Sequence, residues 1–507
     1  MNVDLNVDAP PVPPTLLSGV PREVRLRIFT GLRWALWLTL LSTPFSYGIT
    51  VLLARTSPEA LGTYGTLAVY LAAVNCFFYL GGDTVSIKFL PELPRERRAP
   101  FLLSYALVVA LWFCAWLLAL AIWPEHLRLL FGKVGDRGFH LLLIGLAPIC
   151  LLLSLVVGAL KGLLEIQLAH TLLRLITIVQ CLAYAVLFLA FPAVLATRYR
   201  ALVWGLYLGL ALVAALIGLL SLYARHRLGL SRADWRFWLP AGFWGFAFSA
   251  QAVSVVWFFL GQLDSLLIIN FGDLADLGRY VAIMSVATVA RVVTNLVIET
   301  VLPSIANALA SGGRTAASEV FTMYWRLLLI ANTAIGCVLV LFVGPISRLL
   351  GPEYVARQPL LVLATLLVVL ACPGWIGGSL LSGAGEQHRS IWIGLGQLAL
   401  FLALFAAWWP RWRLAGAVLA YGTSLLASHS ALLLAARRNV PLDFSALHEY
   451  FKFAAVVTVS AAASALFPLP LPLAAVLCIA AVLSFLAWAR YRPAECLDLL
   501  RRLVPSR

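Results

Sequence analysis

Long apolar runs recur along the whole chain, and no other feature restricts its fold as much. A helix that crosses about 30 Å of hydrocarbon at 1.5 Å per residue needs about 20 apolar residues. The sequence therefore predicts an all-α polytopic membrane protein with about fourteen transmembrane helices. The predicted spans lie near residues 29–53, 61–82, 100–123, 138–160, 168–191, 201–223, 239–271, 277–302, 321–343, 358–381, 390–409, 414–436, 449–467 and 470–489.

The composition excludes a water-soluble fold for most of the chain. The 507 residues are 62% hydrophobic and 12% charged, whereas soluble domains are about 45–50% apolar and about 25% charged. The net charge of +15 comes from Lys and Arg in short gaps between apolar runs. That pattern is typical of membrane topology and not of nucleic-acid binding. The Cys and His residues show no metal-ligand spacing, so no metal site is expected.

The distribution of basic residues predicts the orientation. With the N-terminus in the cytoplasm, the cytoplasmic loops hold roughly twice as many Lys and Arg residues as the outer loops, as the positive-inside rule requires. Residues 1–28 lack the basic start and apolar core of a signal peptide and are predicted to be a flexible cytoplasmic tail. The longest outer loop, about residues 124–137, is too short to fold as a domain.

A partial repeat at a spacing near 220 residues predicts two similar halves. Residues 60–64 and 276–280 share the pattern xLGxY, where the second and the eighth span begin. Six spans per unit give both units the same orientation, which is a parallel repeat. The predicted parts are an N-terminal six-helix lobe at 29–224, a C-terminal six-helix lobe at 239–436, two additional helices at 449–489 and a basic cytoplasmic tail at 490–507.

Several short motifs, taken in their order and spacing, resemble a known family. The second span is preceded by residues 55–64, RTSPEALGTY, and is followed by Gly81-Gly82-Asp83 and by residues 88–93, KFLPEL. The C-terminal half has matching motifs at 262–264 (QLD), 277–280 (LGRY), 350–354 (LGPEY) and 382–388 (SGAGEQH). Over about residues 30–436 the sequence resembles the polysaccharide (O-antigen-type) flippases. These belong to the multidrug/oligosaccharidyl-lipid/polysaccharide exporter superfamily.

The resemblance implies two six-helix lobes around a central cavity, and alternating access. It implies a transporter of the cell membrane and not an enzyme. The implied transporter moves a polyprenyl-pyrophosphate-linked oligosaccharide to the outer leaflet for the synthesis of O-antigen, lipopolysaccharide or another surface polysaccharide. No cofactor is implied beyond Na⁺ or H⁺ as a coupling ion. The implied partners are the lipid-linked cargo, membrane lipids and other polysaccharide assembly proteins, with the chain acting as a monomer.

Two other functions remain open at this point. A multidrug or cation antiporter of the same superfamily is expected to carry acidic cavity residues, yet residues 29–53 contain no Asp or Glu. A glycan polymerase or ligase is expected to need a large outer loop and a catalytic constellation, and the sequence shows neither.

Ionisable residues within spans are the candidate site, because burying a charge at mid-membrane costs about 2.5–3.5 kcal/mol and such groups usually face a cavity or a partner. Arg291, Asn295 and Glu299 follow one another at four-residue intervals and share one helix face. One interpretation places this face in the cavity, with Arg291 attracting the pyrophosphate. The other is an internal ladder or an interlobe salt bridge without a ligand.

Two further arginines are candidates for the cargo phosphates. Arg33 lies near the cytoplasmic start of the first span, where it either binds cargo or reaches the lipid headgroups. Arg174 lies in the fifth span with no acidic residue within four positions. It therefore faces either the cavity or a partner on another helix.

Four residues are candidates for ion coupling or gating. Asp264, with Gln262, lies towards the outer end of the seventh span and either couples ion movement or pairs with Arg279 or the helix terminus. Asp83 and Lys88 end the second span and form either a local ion pair or a cytoplasmic gate.

Overall fold

The computed structural model of the chain describes residues 22–122, 137–163, 166–190, 236–383, 386–438, 444–467 and 469–489. This described part is almost entirely helical and contains no β-strand. The α-helices are α1 (Arg22–Thr56), α2 (Pro58–Ala73), α3 (Gly82–Phe89), α4 (Arg95–Ile122), α5 (Arg137–Gly162), α6 (Ile166–Ala190), α7 (Phe243–Phe271), α8 (Leu274–Ala287), α9 (Val289–Leu341), α10 (Val343–Leu350), α11 (Pro352–Val355), α12 (Gln358–Ala371), α13 (Ile376–Gly383), α14 (Gln387–Trp412), α15 (Leu414–Ala436), α16 (Phe444–Leu466) and α17 (Leu471–Trp488).

Ten helical segments in the described residues are long and apolar enough to cross a membrane. Each of them coincides with one of the predicted spans, including the long seventh span, which is a single helix of 29 residues. The predicted span at 201–223 lies outside the described residues. The prediction of an all-α, multi-pass membrane fold is therefore confirmed.

Helix α9 contains the last part of the predicted span 277–302 and nearly all of the span 321–343, and it folds back on itself. A straight helix of its 53 residues would be about 80 Å long. The Asn332 side chain nevertheless donates a hydrogen bond of 3.2 Å to the Thr294 hydroxyl, and both residues are buried. The helical segment must therefore turn between them, so that its two limbs lie side by side, as the separate spans 277–302 and 321–343 predict.

Helix α7 contacts both halves of the chain. Along its first part, Phe243 packs on Phe101, and Phe258 on Phe77, in helices of the N-terminal half. Near its end, Phe271 packs on Phe405 of α14. The seventh span thus joins the two predicted lobes along its length.

The two last helices are attached to the C-terminal half. The Tyr450 hydroxyl of α16 donates to the Leu370 carbonyl oxygen of α12 at 2.9 Å. Glu449 pairs with Arg326 of α9 at 3.2 Å. These contacts fix α16, and with it α17, against the second lobe.

Candidate functional site

Asp264 is a buried carboxylate in the middle of the C-terminal half. Its side chain accepts a hydrogen bond of 2.5 Å from the Tyr280 hydroxyl of α8 and one of 2.7 Å from the Ser265 amide. Tyr280 is the tyrosine of the second xLGxY motif, and it is fully buried. The predicted Arg279 partner is wrong, because Arg279 pairs with Glu353 and Asp276 instead.

Arg291 lies just after a break in the eighth span. Thr288 separates α8 from α9, and its carbonyl accepts from the Arg291 amide at 3.0 Å. The guanidinium lies over the rings of Trp375 and Tyr421, 5.6 Å from each centroid, and its Nη2 donates to the Tyr421 hydroxyl at 2.5 Å.

The Arg291 side chain is incompletely paired. Its buried Nε has no hydrogen-bond partner among the described residues, while the residue as a whole is partly accessible. Aromatic faces and a neutral phenol stabilise the cation without cancelling its charge. This arrangement leaves donor capacity and positive charge for an anion.

A void of about 10 Å³ lies beside Asp264, between α7, α14 and α15. Its polar lining consists of Asp264, Gln397, Tyr421 and Ser424, and the rest of the lining is apolar. This is about the space that one water molecule needs. Tyr421 therefore borders both the void at Asp264 and the guanidinium of Arg291.

The helix opposite Arg291 is also interrupted. A 3₁₀ turn at Cys372–Trp375 separates α12 from α13. Within reach of this turn, the buried His429 of α15 makes a hydrogen bond of 2.7 Å through Nδ1 to the Ala371 carbonyl, and its ring lies 5.5 Å from that of Trp375. Interrupted helices are typical of substrate and ion sites in transporters.

Sequence reasoning missed the aromatic and histidine members of this network. Trp375, Tyr421 and His429 are single polar or aromatic residues inside otherwise apolar spans. The only signal in the sequence is that such residues at membrane depth tend to face partners and not lipid.

The other predicted cargo residues are not brought to this network by any observed contact. Asn295 is exposed, and Arg174 is half-buried on α6, which packs along α1. Gln262, a candidate for ion coupling with Asp264, is half-buried. The side chains of Arg33 and Glu299 lie outside the described residues. Their proposed roles stay predictions.

The predicted ion pair of Asp83 with Lys88 is wrong. Asp83 pairs with Lys161 of α5 at 2.6 Å, and Lys88 pairs with Glu92 at 2.6 Å. Positions five apart point to different sides of a helix, whereas Lys88 and Glu92 are four apart and share a face. Whether Asp83 or Lys88 acts in gating stays a prediction.

The two copies of the xLGxY motif pack against each other. A side chain at Gly62 of α2 would collide with the Leu274 carbonyl, and one at Gly278 of α8 would collide with the Pro58 carbonyl. The absence of side chains thus lets the two backbones touch. We call this contact the glycine seam; it closes the two halves at the end of the bundle where α2 and α8 begin, which is the outer end in the predicted orientation.

Polar contacts surround the glycine seam. Arg55 Nε of the N-terminal half donates to the Leu349 carbonyl at 2.8 Å, near the end of α10. Arg279 pairs with Glu353 of α11. Burial raises the pKa of the adjacent Tyr354 to about 12, and the negative charge of Glu353 acts in the same direction.

The second span is broken at its other end. After α2 the chain forms a π-helical turn at Val74–Phe78 and then passes through Gly81 and Gly82, both with positive φ. Side chains satisfy the freed carbonyl groups. Trp112 donates to the Phe77 carbonyl at 2.7 Å, and Gln251 of α7 donates to the Cys76 carbonyl. The Tyr105 hydroxyl shares its one proton between the Leu80 and Gly82 carbonyl oxygens, each 2.8 Å away.

The described residues contain no candidate metal site. No group of three or more His, Cys, Asp or Glu side chains in the described ranges could hold a metal ion.

The fold is shared with known transporters, although the sequence is distant from them. No family model and no curated protein matches the sequence. The structure of the lipid II flippase MurJ in an inward closed conformation matches with a TM-score of 0.70, at 12% identity, over 90% of this chain and 98% of that one.

Two multidrug transporter structures match as well. An inward-facing multidrug resistance MATE family transporter of the MOP superfamily matches with a TM-score of 0.59, at 14% identity, over 80% of this chain and 97% of that one. A MATE transporter in complex with MaL6 matches with a TM-score of 0.57, at 12% identity, over 84% and 97% of the two chains. At these identities the similarity establishes the fold.

Proposed function

We propose that this protein is a flippase that moves a polyprenyl-pyrophosphate-linked oligosaccharide from the cytoplasmic to the outer leaflet by alternating access, in cell-surface polysaccharide synthesis. The observation that carries the proposal is Arg291, a cation deep in a membrane fold. Its guanidinium is held by the Trp375 ring and by the ring and hydroxyl of Tyr421, and its Nε has no partner among the described residues. A diphosphate is the cargo group that such a site attracts. Charge-assisted hydrogen bonds from arginine suit phosphate oxygens.

The glycine seam supports the transport cycle. Alternating access requires the halves to separate at one end while they remain together at the other. Close backbone packing at Gly62 and Gly278, with the Arg55 contact beside it, is a closure that such a cycle would open. The similarity to the fold of a lipid II flippase agrees with a lipid-linked cargo.

A multidrug or cation antiporter is the second candidate, and Asp264 is the observation that favours it. A buried carboxylate beside a void of about one water molecule suits a proton, which an antiporter exchanges for its cation. Arg291 opposes this function, because its charge lies close enough to the same network to repel an organic cation.

The test is a flipping assay in proteoliposomes with a fluorescent polyprenyl-pyrophosphate-linked oligosaccharide. Loss of a charge-assisted hydrogen bond costs about 1.5–3 kcal/mol, so Arg291→Ala is expected to lower the initial flipping rate about 10- to 150-fold, with partial recovery in Arg291→Lys.

The exposed Arg314 gives the matched control, because Arg314→Ala removes an arginine from the same helix without touching the network. Thermal unfolding in detergent must show that all variants fold. If Arg291→Ala flips the cargo as fast as the wild type, the flippase proposal fails at its central residue. Transport of cationic dyes that depends on Asp264 would favour the antiporter.

A further inference from the structure

Tyr421 lies between Arg291 and the void beside Asp264. It is buried on α15, its hydroxyl accepts a hydrogen bond of 2.5 Å from Arg291 Nη2, and it lines the void beside Asp264. A phenol oxygen has two lone pairs and one proton. Since Arg291 uses one lone pair, the hydroxyl can still donate its proton and accept with its second lone pair towards the void.

Asp264 and Arg291 are opposite charges that do not touch. Asp264 is held by Tyr280 and Ser265, Arg291 is held by Tyr421 and Trp375, and no salt bridge joins the two among the described residues. The carboxylate still attracts the guanidinium through a weakly screening interior. While Asp264 is charged, part of the attraction of Arg291 for an anion is cancelled.

The charged and titratable groups of this network come from several elements of the C-terminal half. Asp264 interacts electrostatically with Tyr280 of α8, Arg291 of α9 and Tyr421 of α15. Arg291 in turn interacts with Cys372 of the 3₁₀ turn and His429 of α15. Gln397, the polar residue of α14 at the void, is uncharged. Arg291 is thus the positive partner of Asp264 in this network.

The void suits a proton with one water better than a metal cation. About 10 Å³ accommodates a single water-sized body. Only four lining side chains carry oxygen, and the Ser424 hydroxyl is already engaged as a donor to the Tyr421 carbonyl at 2.9 Å.

We propose that diphosphate binding at Arg291 is linked to proton uptake by Asp264, with the Tyr421 hydroxyl as the link, so that cargo and proton bind together. When the diphosphate draws the guanidinium away, Tyr421 loses its donor and Asp264 loses its counter-charge. A proton on Asp264 replaces that charge. In reverse, a neutral Asp264 leaves the whole charge of Arg291 for the diphosphate. This inference rests on the proposed function, since it assumes an anionic cargo.

The experiment is calorimetric titration of the purified full-length protein in detergent with farnesyl pyrophosphate as the probe. Binding is measured at pH 6 and pH 8, in two buffers of different ionisation enthalpy at each pH, so that the number of protons taken up is counted. Because the probe itself titrates, every measurement is repeated with Asp264→Asn. From pH 8 to pH 6, the affinity of the wild type for the probe is expected to rise at least about 5-fold more than the affinity of Asp264→Asn does. Coupling between sites usually amounts to about 5- to 150-fold.

Two tyrosine variants test the link. Tyr421→Phe keeps the ring over Arg291 and removes the hydroxyl, so it is expected to bind the probe while losing most of the extra proton uptake. Tyr280→Phe removes the hydroxyl that donates to Asp264 and leaves the contacts of Arg291 in place. It is expected to keep the linkage between cargo and proton, although at a different pH.

The outcomes separate the two proposals. If the wild type takes up no more protons than Asp264→Asn, or if Tyr421→Phe retains the full linkage, the inference is wrong and the flippase proposal stands. A linkage that follows sodium concentration at constant pH also overturns it. If farnesyl pyrophosphate does not bind the wild type at all, the proposed function itself fails.

Discussion

Replacing Gly278 with alanine is expected to weaken the glycine seam and to open the end of the bundle where α2 and α8 begin. The new Cβ would overlap the Pro58 carbonyl and lie 2.9 Å from the Gly62 amide nitrogen, and an ordinary Cβ contact begins at about 3.4 Å. The two backbones must therefore move apart, because neither obstacle is a flexible side chain. Overpacking of this kind costs about 1–3 kcal/mol.

This cost applies to the closed form only. Alanine also favours the helix over glycine by up to about 1 kcal/mol, but that gain is the same in the open and closed forms and cancels between them. The equilibrium is thus expected to shift towards the open form by about 5- to 150-fold.

Thiol labelling measures the shift. Thr66 of α2 lies one turn from Gly62 on the same face and is fully buried. A cysteine introduced as Thr66→Cys, with the exposed Cys114 replaced by alanine, is expected to react with a membrane-impermeant maleimide about 5- to 150-fold faster in the Gly278→Ala protein.

Gly261→Ala is the matched control, because its Cβ would meet nothing within 4 Å. An unchanged labelling rate in Gly278→Ala, or an equal increase in Gly261→Ala, would refute the role of the seam as a closure.

Three smaller predictions concern individual contacts. Arg55→Ala removes the hydrogen bond to the carbonyl near the end of α10 and is expected to raise the same labelling rate, though by less than Gly278→Ala does, since the group is exposed. Asn332→Leu deletes the buried bond to Thr294 and is expected to lower the free energy of unfolding by about 1–3 kcal/mol, seen as a lower Tm in detergent. Lys161→Met breaks a half-exposed ion pair and is expected to lower the free energy of unfolding by no more than about 1 kcal/mol. Lys88→Met breaks a more exposed pair and serves as the comparison. A larger loss of stability in Lys88→Met than in Lys161→Met would contradict the structure.

Hydropathy predicts the spans well because the bilayer sets one length scale for every helix. Each of the ten membrane-length segments in the described residues lies where an apolar run predicts it. The breaks inside spans are a different matter. Gly81 and Gly82 sit in ordinary apolar surroundings, and the break there is tolerable because Trp112 and Tyr105 of another helix donate to the freed carbonyl groups.

The sequence predicts only part of the candidate site, because the rest depends on contacts between helices. Arg291 and Asp264 stand out in the sequence as charges within apolar runs. Their partners Tyr421 and Tyr280 are identified only by the tertiary packing, which also replaces the predicted Asp83–Lys88 pair by Asp83–Lys161. The xLGxY repeat predicted related halves, and the contact between Gly62 and Gly278 adds what sequence similarity does not contain, namely that the two copies face each other.

The most direct test of a diphosphate held by Arg291 is an electron cryo-microscopy structure of the purified protein with farnesyl pyrophosphate. We expect diphosphate density with oxygen atoms within hydrogen-bond distance of the Arg291 guanidinium, and the guanidinium withdrawn from the Tyr421 hydroxyl. Density for the diphosphate at another place, with Arg291 still bonded to Tyr421, would contradict the account.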